Sequence, residues 1–154
     1  MTTNTATLNY CHTQRAPLCL ILYAAAIGSF ALVFLIGDPV GMSISGSAGL
    51  VVAMLAASFH HLSVEDLGDE LEIRFGPIQL FRRTLKYRDV ASAEVGRTTL
   101  LDGWGIHMSP RGGWIWNIWG RECVVVHFKS GATFRIGTDD PQNLAEFLLS
   151  RVQV

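Results

Sequence analysis

The chain has 154 residues and a net charge of −1, so its length favours one soluble domain with an appendage, and its charge excludes an overall attraction for nucleic acid. Only 16% of the residues are charged, against about 25% in an ordinary soluble domain. The shortfall is local, because Asp38 is the only fully charged residue between Pro17 and His61. The composition therefore divides the chain near residue 61 into an apolar part and an ordinary part.

The first apolar segment, Pro17–Ile36, has twenty residues and no charge. At about 1.5 Å per residue, a helix of this length spans the roughly 30 Å hydrocarbon core of a bilayer. A secretory signal peptide is the alternative, but its apolar region is about 7–15 residues long and ends at a cleavage site. This run is longer and a second apolar run follows it, so it predicts an uncleaved transmembrane helix.

A turn and a second apolar segment follow. The stretch Gly37–Gly41 has two glycines, a proline and an aspartate, which are turn residues. Serines dilute the segment Met42–Phe59, but membrane helices tolerate a hydroxyl that bonds to its own or a neighbouring helix. Small residues that favour close packing lie four apart at Ala24 and Gly28 and at Ser45 and Gly49. Residues 17–61 are therefore predicted to form a two-helix transmembrane hairpin, and its self-association stays open.

The few charges around the hairpin indicate its orientation. Arg15 precedes the first span, the connecting loop carries only Asp38, and several arginines follow the second span. By the positive-inside rule, both termini lie in the cytoplasm and the short loop lies outside. We therefore expect a multi-pass protein of the cell (inner) membrane, with residues 1–16 as an N-terminal tail.

From residue 62 onward the apolar pattern changes to the two-residue period of β-strands. Leu62–Glu65 and Leu71–Phe75 alternate around the turn Leu67–Asp69, which predicts a hairpin. Gly76 and Pro77 end its second strand. Further strands are predicted at Leu80–Tyr87, Val90–Val95, Gly103–Met108 and Trp114–Trp119, the last two as a pair.

The clearest hairpin of this domain and its one predicted helix lie at the end of the chain. Glu122–Lys129 and Thr133–Ile136 flank the turn residues Ser130 and Gly131. A helix is predicted from about Pro141 to Arg151, with Asp140 as its cap and with apolar residues at helical spacing: Leu144, Phe147, Leu148 and Val152. The expected fold class is α+β, with an antiparallel β-sandwich or barrel over residues 62–154 capped by one C-terminal helix.

Three stretches occur in this order: GWGI at Gly103–Ile106, W-x-x-x-G at Trp116–Gly120, and FRIGTDDPxxLAxxL at Phe134–Leu148. Together they resemble the bacterial pleckstrin-homology (PH) domain family over residues 62–153, and the last stretch is the specific part. The resemblance implies a curled seven-stranded antiparallel sheet capped by the C-terminal helix, and in that family one or two membrane helices often precede the domain. It implies no catalytic activity, and it assigns no binding residues because the ligands of the family are largely undefined.

The densest basic cluster is Arg82, Arg83, Lys86 and Arg88. In one continuous strand, Arg82, Lys86 and Arg88 share a face and Arg83 points to the other. Because the domain is tethered beside the bilayer, this face is a candidate contact for anionic lipid. Each basic residue would contribute about 1 kcal/mol to the binding free energy. The alternative is a solvated outer face that nearby acids balance.

Four tryptophans, Trp104, Trp114, Trp116 and Trp119, fall within sixteen residues. In a strand, Trp114 and Trp116 share one face and Trp119 takes the other, so both faces are apolar. We expect one face to pack in the core and the other to meet the bilayer, a partner protein or a second copy. The candidate interaction surface is Trp114, Trp116 and Trp119 with Arg82, Lys86 and Arg88, and its apolar contacts are expected to dominate.

The sequence carries no signature of catalysis or of a cofactor. It has no G-x-S-x-G, phosphate loop or H-E-x-x-H, and its three cysteines and five histidines show no metal-ligand spacing. We therefore expect a membrane-anchored, non-enzymatic binding or scaffold module whose PH-like domain recruits a protein, a peptide or a lipid headgroup. No cofactor and no nucleic acid are expected. The alternative is a structural or assembly subunit of a larger membrane complex.

Overall fold

The computed structural model describes residues 9–99 and 102–152. Its helices are α1 (Leu18–Leu35), α2 (Pro39–Ser58) and α3 (Pro141–Val152). These bounds agree with the three predicted helical segments, except that α2 begins three residues before Met42. The cap explains the earlier start, because the Asp38 carboxylate accepts hydrogen bonds from the N–H groups of Val40 (3.3 Å) and Gly41 (2.7 Å).

The strands in the described residues form two sheets. The first sheet is antiparallel, in the order β1 (Cys11–Arg15), β2 (His61–Asp66), β3 (Glu70–Phe75), β4 (Arg82–Lys86). The second contains β5 (Val90–Arg97), β6 (Gly105–Met108), β7 (Trp114–Asn117), β8 (Glu122–Phe128) and β9 (Thr133–Gly137), in the order β5-β8-β9-β7-β6. The α+β class and the C-terminal helix are thus confirmed. The expected uniformly antiparallel sheet is not found, because β7 and β9 run parallel.

The N-terminal segment contributes a strand that the sequence analysis missed. Residues 1–16 were expected to be a tail, but within them β1 pairs with β2 in a register that places Gln14 opposite Leu62 and Arg15 opposite His61. The stretch Cys11–Arg15 reads CHTQR and has no apolar alternation, so local sequence gives no sign of a strand. Its pairing depends on β2, which lies more than forty residues away in the chain.

The two apolar helices leave the first sheet from neighbouring strands. β1 leads into α1 through Ala16 and Pro17, and α2 leads into β2 through Phe59 and His60. Both helices therefore depart from the same end of the sheet. They pack on each other through the predicted small-residue positions of α2, since the Ser45 hydroxyl donates to the carbonyl of Ser29 (2.7 Å). The other predicted pair does not make such a contact, because no atom lies near the Cβ position of Gly28.

A glycine fits the β3–β4 connection against the end of α2. Gly76 has a φ of +58° and donates its N–H to the carbonyl of His61 (2.7 Å). A Cβ at this position would collide with the carbonyl oxygens of Ala57 and Ser58, so only glycine permits the close approach. The connection from β3 to β4 is thereby held at the point where α2 enters the sheet.

The core lies between the two sheets and is closed by α3. Phe75, Phe134 and Ile136 are almost completely buried between the sheets. The predicted stripe of α3 packs mainly on β5 and β8, with Leu148 fully buried and Phe147 only 7% exposed. This confirms the expected docking of the helix.

Candidate functional site

The β domain has two ends that differ in their distance from the helices. We call the end marked by Arg15, His61 and Phe75 the helix-exit end, because α1 and α2 leave there. The opposite end, marked by Asp66 and Glu70, is the far end. Since β3 advances five residues between Phe75 and Glu70, the two ends are about 17 Å apart along the strand.

The predicted basic face is split between these ends. Arg82 lies near the helix-exit end, where its Nε is 2.6 Å from Oε1 of the buried Glu72, so its charge is already paired. Lys86 lies at the far end, opposite Glu70. Arg88 does not share the strand face as expected, because β4 ends at Lys86 and Arg88 belongs to a 3-10 turn.

The tryptophans are also separated. Trp116 is 7% exposed and its ring lies 5.6 Å from that of Phe75, so it belongs to the core and not to an exposed surface. Trp114 is 43% exposed at the start of β7. Trp119 lies beyond the end of β7 and stacks on Trp104, with ring centroids 4.5 Å apart. The three tryptophans of the candidate interaction surface therefore lie in three different environments, and Trp114 and Trp116, which were expected to share a strand face, differ in exposure.

An open cleft of about 860 Å³ lies between β4, the β6–β7 turn and the β8–β9 turn. We call it the basic cleft, since its charged and aromatic lining includes Arg83, Lys86, Arg111, Lys129, Asp89 and Trp114. Sequence analysis had placed Lys86 and Trp114 in one candidate interaction surface and had assigned Arg83 to the opposite face of the strand, whereas all three line this cleft. It missed Arg111 and Lys129 altogether, because the cleft joins three segments that are distant in the chain.

A hydrogen-bond network holds the β6–β7 turn that forms one wall of the basic cleft. Asp102 is fully buried and accepts hydrogen bonds from the Thr99 N–H (2.6 Å), the Ser109 hydroxyl (2.7 Å) and Nη2 of Arg111 (2.7 Å). Burial by itself would raise the pKa of Asp102, but these hydrogen bonds outweigh it and hold the pKa well below its ordinary value. Asp102 is therefore a carboxylate, and it neutralises Arg111.

Three other cations of the basic cleft are not neutralised in this way. Within residues 9–99 and 102–152, the side chains of Arg83, Lys86 and Lys129 form no ion pair. Arg83 lies instead over the ring of Phe134, with its guanidinium carbon 4.5 Å from the centroid. Asp89 is the one acid of the lining. The cleft thus carries an excess of positive charge.

The outer surface of the helical hairpin is apolar. Its exposed side chains include Ile27, Phe34, Val40 and Ile44, and Phe34 is 88% exposed. By length and composition, α2 is the one described helix that is long and apolar enough to cross a membrane. An apolar surface of this extent needs a cover in the native setting of the protein.

The described residues contain no cluster of metal ligands, and the thiol of Cys123 is buried. No three or more of their His, Cys, Asp and Glu side chains are grouped so that they could hold a metal ion. Burial raises the pKa of the Cys123 thiol to about 11, so this side chain behaves as a small apolar group. Searches of protein-family models, curated proteins and solved structures found no match to this chain.

Proposed function

We propose that this protein is a membrane-anchored, non-enzymatic binding module. In this proposal α1 and α2 cross the cell membrane as a hairpin, and both termini and the β domain lie in the cytoplasm. The uncharged, outward-facing apolar side chains of both helices support it, as does the length of α2, about 30 Å for twenty residues. The assignment of the β domain to the PH-like folds belongs to the same proposal. Its two packed sheets and C-terminal helix support that assignment, and the parallel β7–β9 pair departs from it.

The anchor is tested by extraction and by topology reporters. We expect the full chain to stay with membranes in alkaline carbonate and to dissolve only in detergent. A reporter that is active only in the cytoplasm should work when fused after residue 154 and should fail when inserted at Gly37. Release by carbonate would contradict the anchor, and an inactive C-terminal reporter would contradict the orientation.

The binding function is carried by one observation, the three unneutralised cations of the basic cleft. They suit an acidic segment of a partner protein. β4 lines the cleft and is an edge strand of the first sheet, so an extended segment can add to it through backbone hydrogen bonds. Lipid headgroups of the same membrane are less suitable, because Lys86 lies about 17 Å from the helix-exit end, twice the Debye length of about 8 Å.

Binding is tested with the purified full chain in detergent and a fluorescent oligoglutamate peptide. Replacing both Lys86 and Lys129 with glutamate should weaken binding at least tenfold, since each lost charge-assisted contact contributes about 1 kcal/mol or more. Arg88→Glu is the matched control for each single reversal, Lys86→Glu or Lys129→Glu, because Arg88 is an exposed cation at the same end that does not line the basic cleft.

Three outcomes would contradict this proposal. If Arg88→Glu weakened peptide binding equally, the peptide would be attracted only by the overall electrostatic field of the domain and not by the basic cleft. If the chain bound soluble glycerophosphate headgroups and did not bind the peptide, the ligand of the basic cleft would be a lipid headgroup and not an acidic protein segment. If the chain purified only as a fixed-ratio complex that covers Trp114, the assembly-subunit alternative would replace the binding module.

A further inference from the structure

The β3–β4 connection places exposed apolar side chains beside the helices. Ile78 and Leu80 are 39% and 53% exposed, although they lie in a short connection on a folded domain. Gly76 fixes the start of this connection against the end of α2, and the ring of Phe81 fixes its other side at 5.5 Å from the ring of Phe59. The two exposed side chains are therefore held at the helix-exit end.

The Trp104–Trp119 stack lies at the same end but beside the other edge of the first sheet. The carbonyl of Trp119 accepts a hydrogen bond from Nε2 of Gln14 (3.1 Å), which belongs to β1 and pairs with Leu62. Gln14 is only four residues before the start of α1. This hydrogen bond therefore holds the Trp104–Trp119 stack at the end of the sheet where the helices begin. Trp104 and Trp119 are 48% and 37% exposed.

We infer that Ile78, Leu80, Trp104 and Trp119 form a membrane-contacting collar that enters the boundary between lipid headgroups and acyl chains. The inference rests on the proposed transmembrane anchor, because the helices determine where the bilayer begins. Tryptophan suits this boundary, since its ring is apolar and its N–H needs a polar partner. Half-exposed apolar side chains on both sides of the helix pair are then covered by the bilayer into which the helices run.

The collar explains how the domain is oriented. A helix pair alone leaves the β domain free to tilt, whereas contacts on two sides of the pair define a plane. With the collar in the lipid boundary, Lys86 and Lys129 of the basic cleft point away from the bilayer, into the cytoplasm. Because the contacts are apolar, we expect them to be insensitive to salt.

The collar is tested by tryptophan quenching in neutral phosphatidylcholine vesicles that contain acyl-brominated lipid. All four tryptophans lie at residues 104–119, so the emission reports only on the β domain. Brominated lipid should quench the wild-type chain. Replacing Trp104 and Trp119 with phenylalanine should reduce the quenched fraction several-fold, and Trp114→Phe should not, because Trp114 lies at the basic cleft.

A second pair of variants examines the other side of the collar. Replacing Ile78 and Leu80 with serine should reduce quenching by brominated lipid and increase quenching by acrylamide in water. Leu67→Ser is the control, since Leu67 is 48% exposed but lies in the turn at the far end. Added salt should leave the wild-type signal unchanged.

The outcomes separate the collar from the anchor. If the chain floats with the vesicles but brominated lipid does not quench Trp104 and Trp119, the collar is wrong and the anchor stands. If the chain does not float with the vesicles, the anchor itself is wrong. If acrylamide protection depends on the ratio of protein to lipid, a second copy covers this surface, and the lipid contact is overturned.

Discussion

Replacing Phe75 with alanine is expected to lower the free energy of unfolding of the β domain by about 3–5 kcal/mol. Phe75 is fully buried and lies at the helix-exit end of β3. Its ring centroid is 5.1 Å from that of Phe59 and 5.6 Å from that of Trp116, so one side chain joins the helix junction to both sheets. The loss is large because the surrounding rings are held by separate elements and cannot close the cavity.

The measurement is urea unfolding of the full chain in detergent, followed by tryptophan emission. Phe34→Ala is the matched control, because it removes the same side chain from a site that is 88% exposed on α1. The midpoint should fall in Phe75→Ala and stay in place in Phe34→Ala. Equal midpoints for Phe75→Ala and the wild type would show that Phe75 does not join the two sheets as described.

Replacing Asp102 is the second change with a large expected effect. Asp102→Ala removes the carboxylate that accepts hydrogen bonds from Arg111, Ser109 and the Thr99 N–H, and we expect the free energy of unfolding to fall by about 2–3 kcal/mol. This value is below the roughly 3–5 kcal/mol for breaking a fully buried ion pair, because the side chain of Arg111 is 47% exposed. The same change should loosen the β6–β7 wall of the basic cleft.

The depressed pKa of Asp102 also predicts a pH dependence. The unfolded carboxyl titrates near its ordinary value of about 3.9, whereas in the folded protein its pKa is held lower by Thr99, Ser109 and Arg111. The unfolded state therefore binds more protons in acid, and the stability that Asp102 contributes is present above about pH 4 and is lost as the pH falls below it. Asp102→Asn should be less stable at neutral pH and should lose less stability on acidification. Parallel pH profiles for the Asp102→Asn variant and the wild type, measured by urea unfolding, would contradict this role.

The elements that the sequence alone determined are those with local signals at their ends. The Asp38 carboxylate caps α2, although the helix had been predicted to begin at Met42, and Pro39 and Pro141 are the first residues of α2 and α3, where the fixed φ of proline favours a helix. Ser130 and Gly131 close the β8–β9 hairpin, with Gly131 at a φ of +85°. The length of two nearly uncharged runs located the apolar hairpin, and the change to a two-residue period located the start of the β domain.

The tertiary structure alone decided how distant segments meet. β1 has no strand pattern of its own and becomes a strand because it pairs with the free edge of β2. β7 pairs with β9 in parallel, and no local sequence pattern encodes this pairing. The burial and the contacts of the tryptophans also depend on long-range packing. Trp116 is enclosed by Phe75 and Phe134, Trp119 is held beside β1 by Gln14, and neither partner is a neighbour in sequence. Periodicity states which side chains share a face of a strand, whereas long-range pairing decides what that face meets.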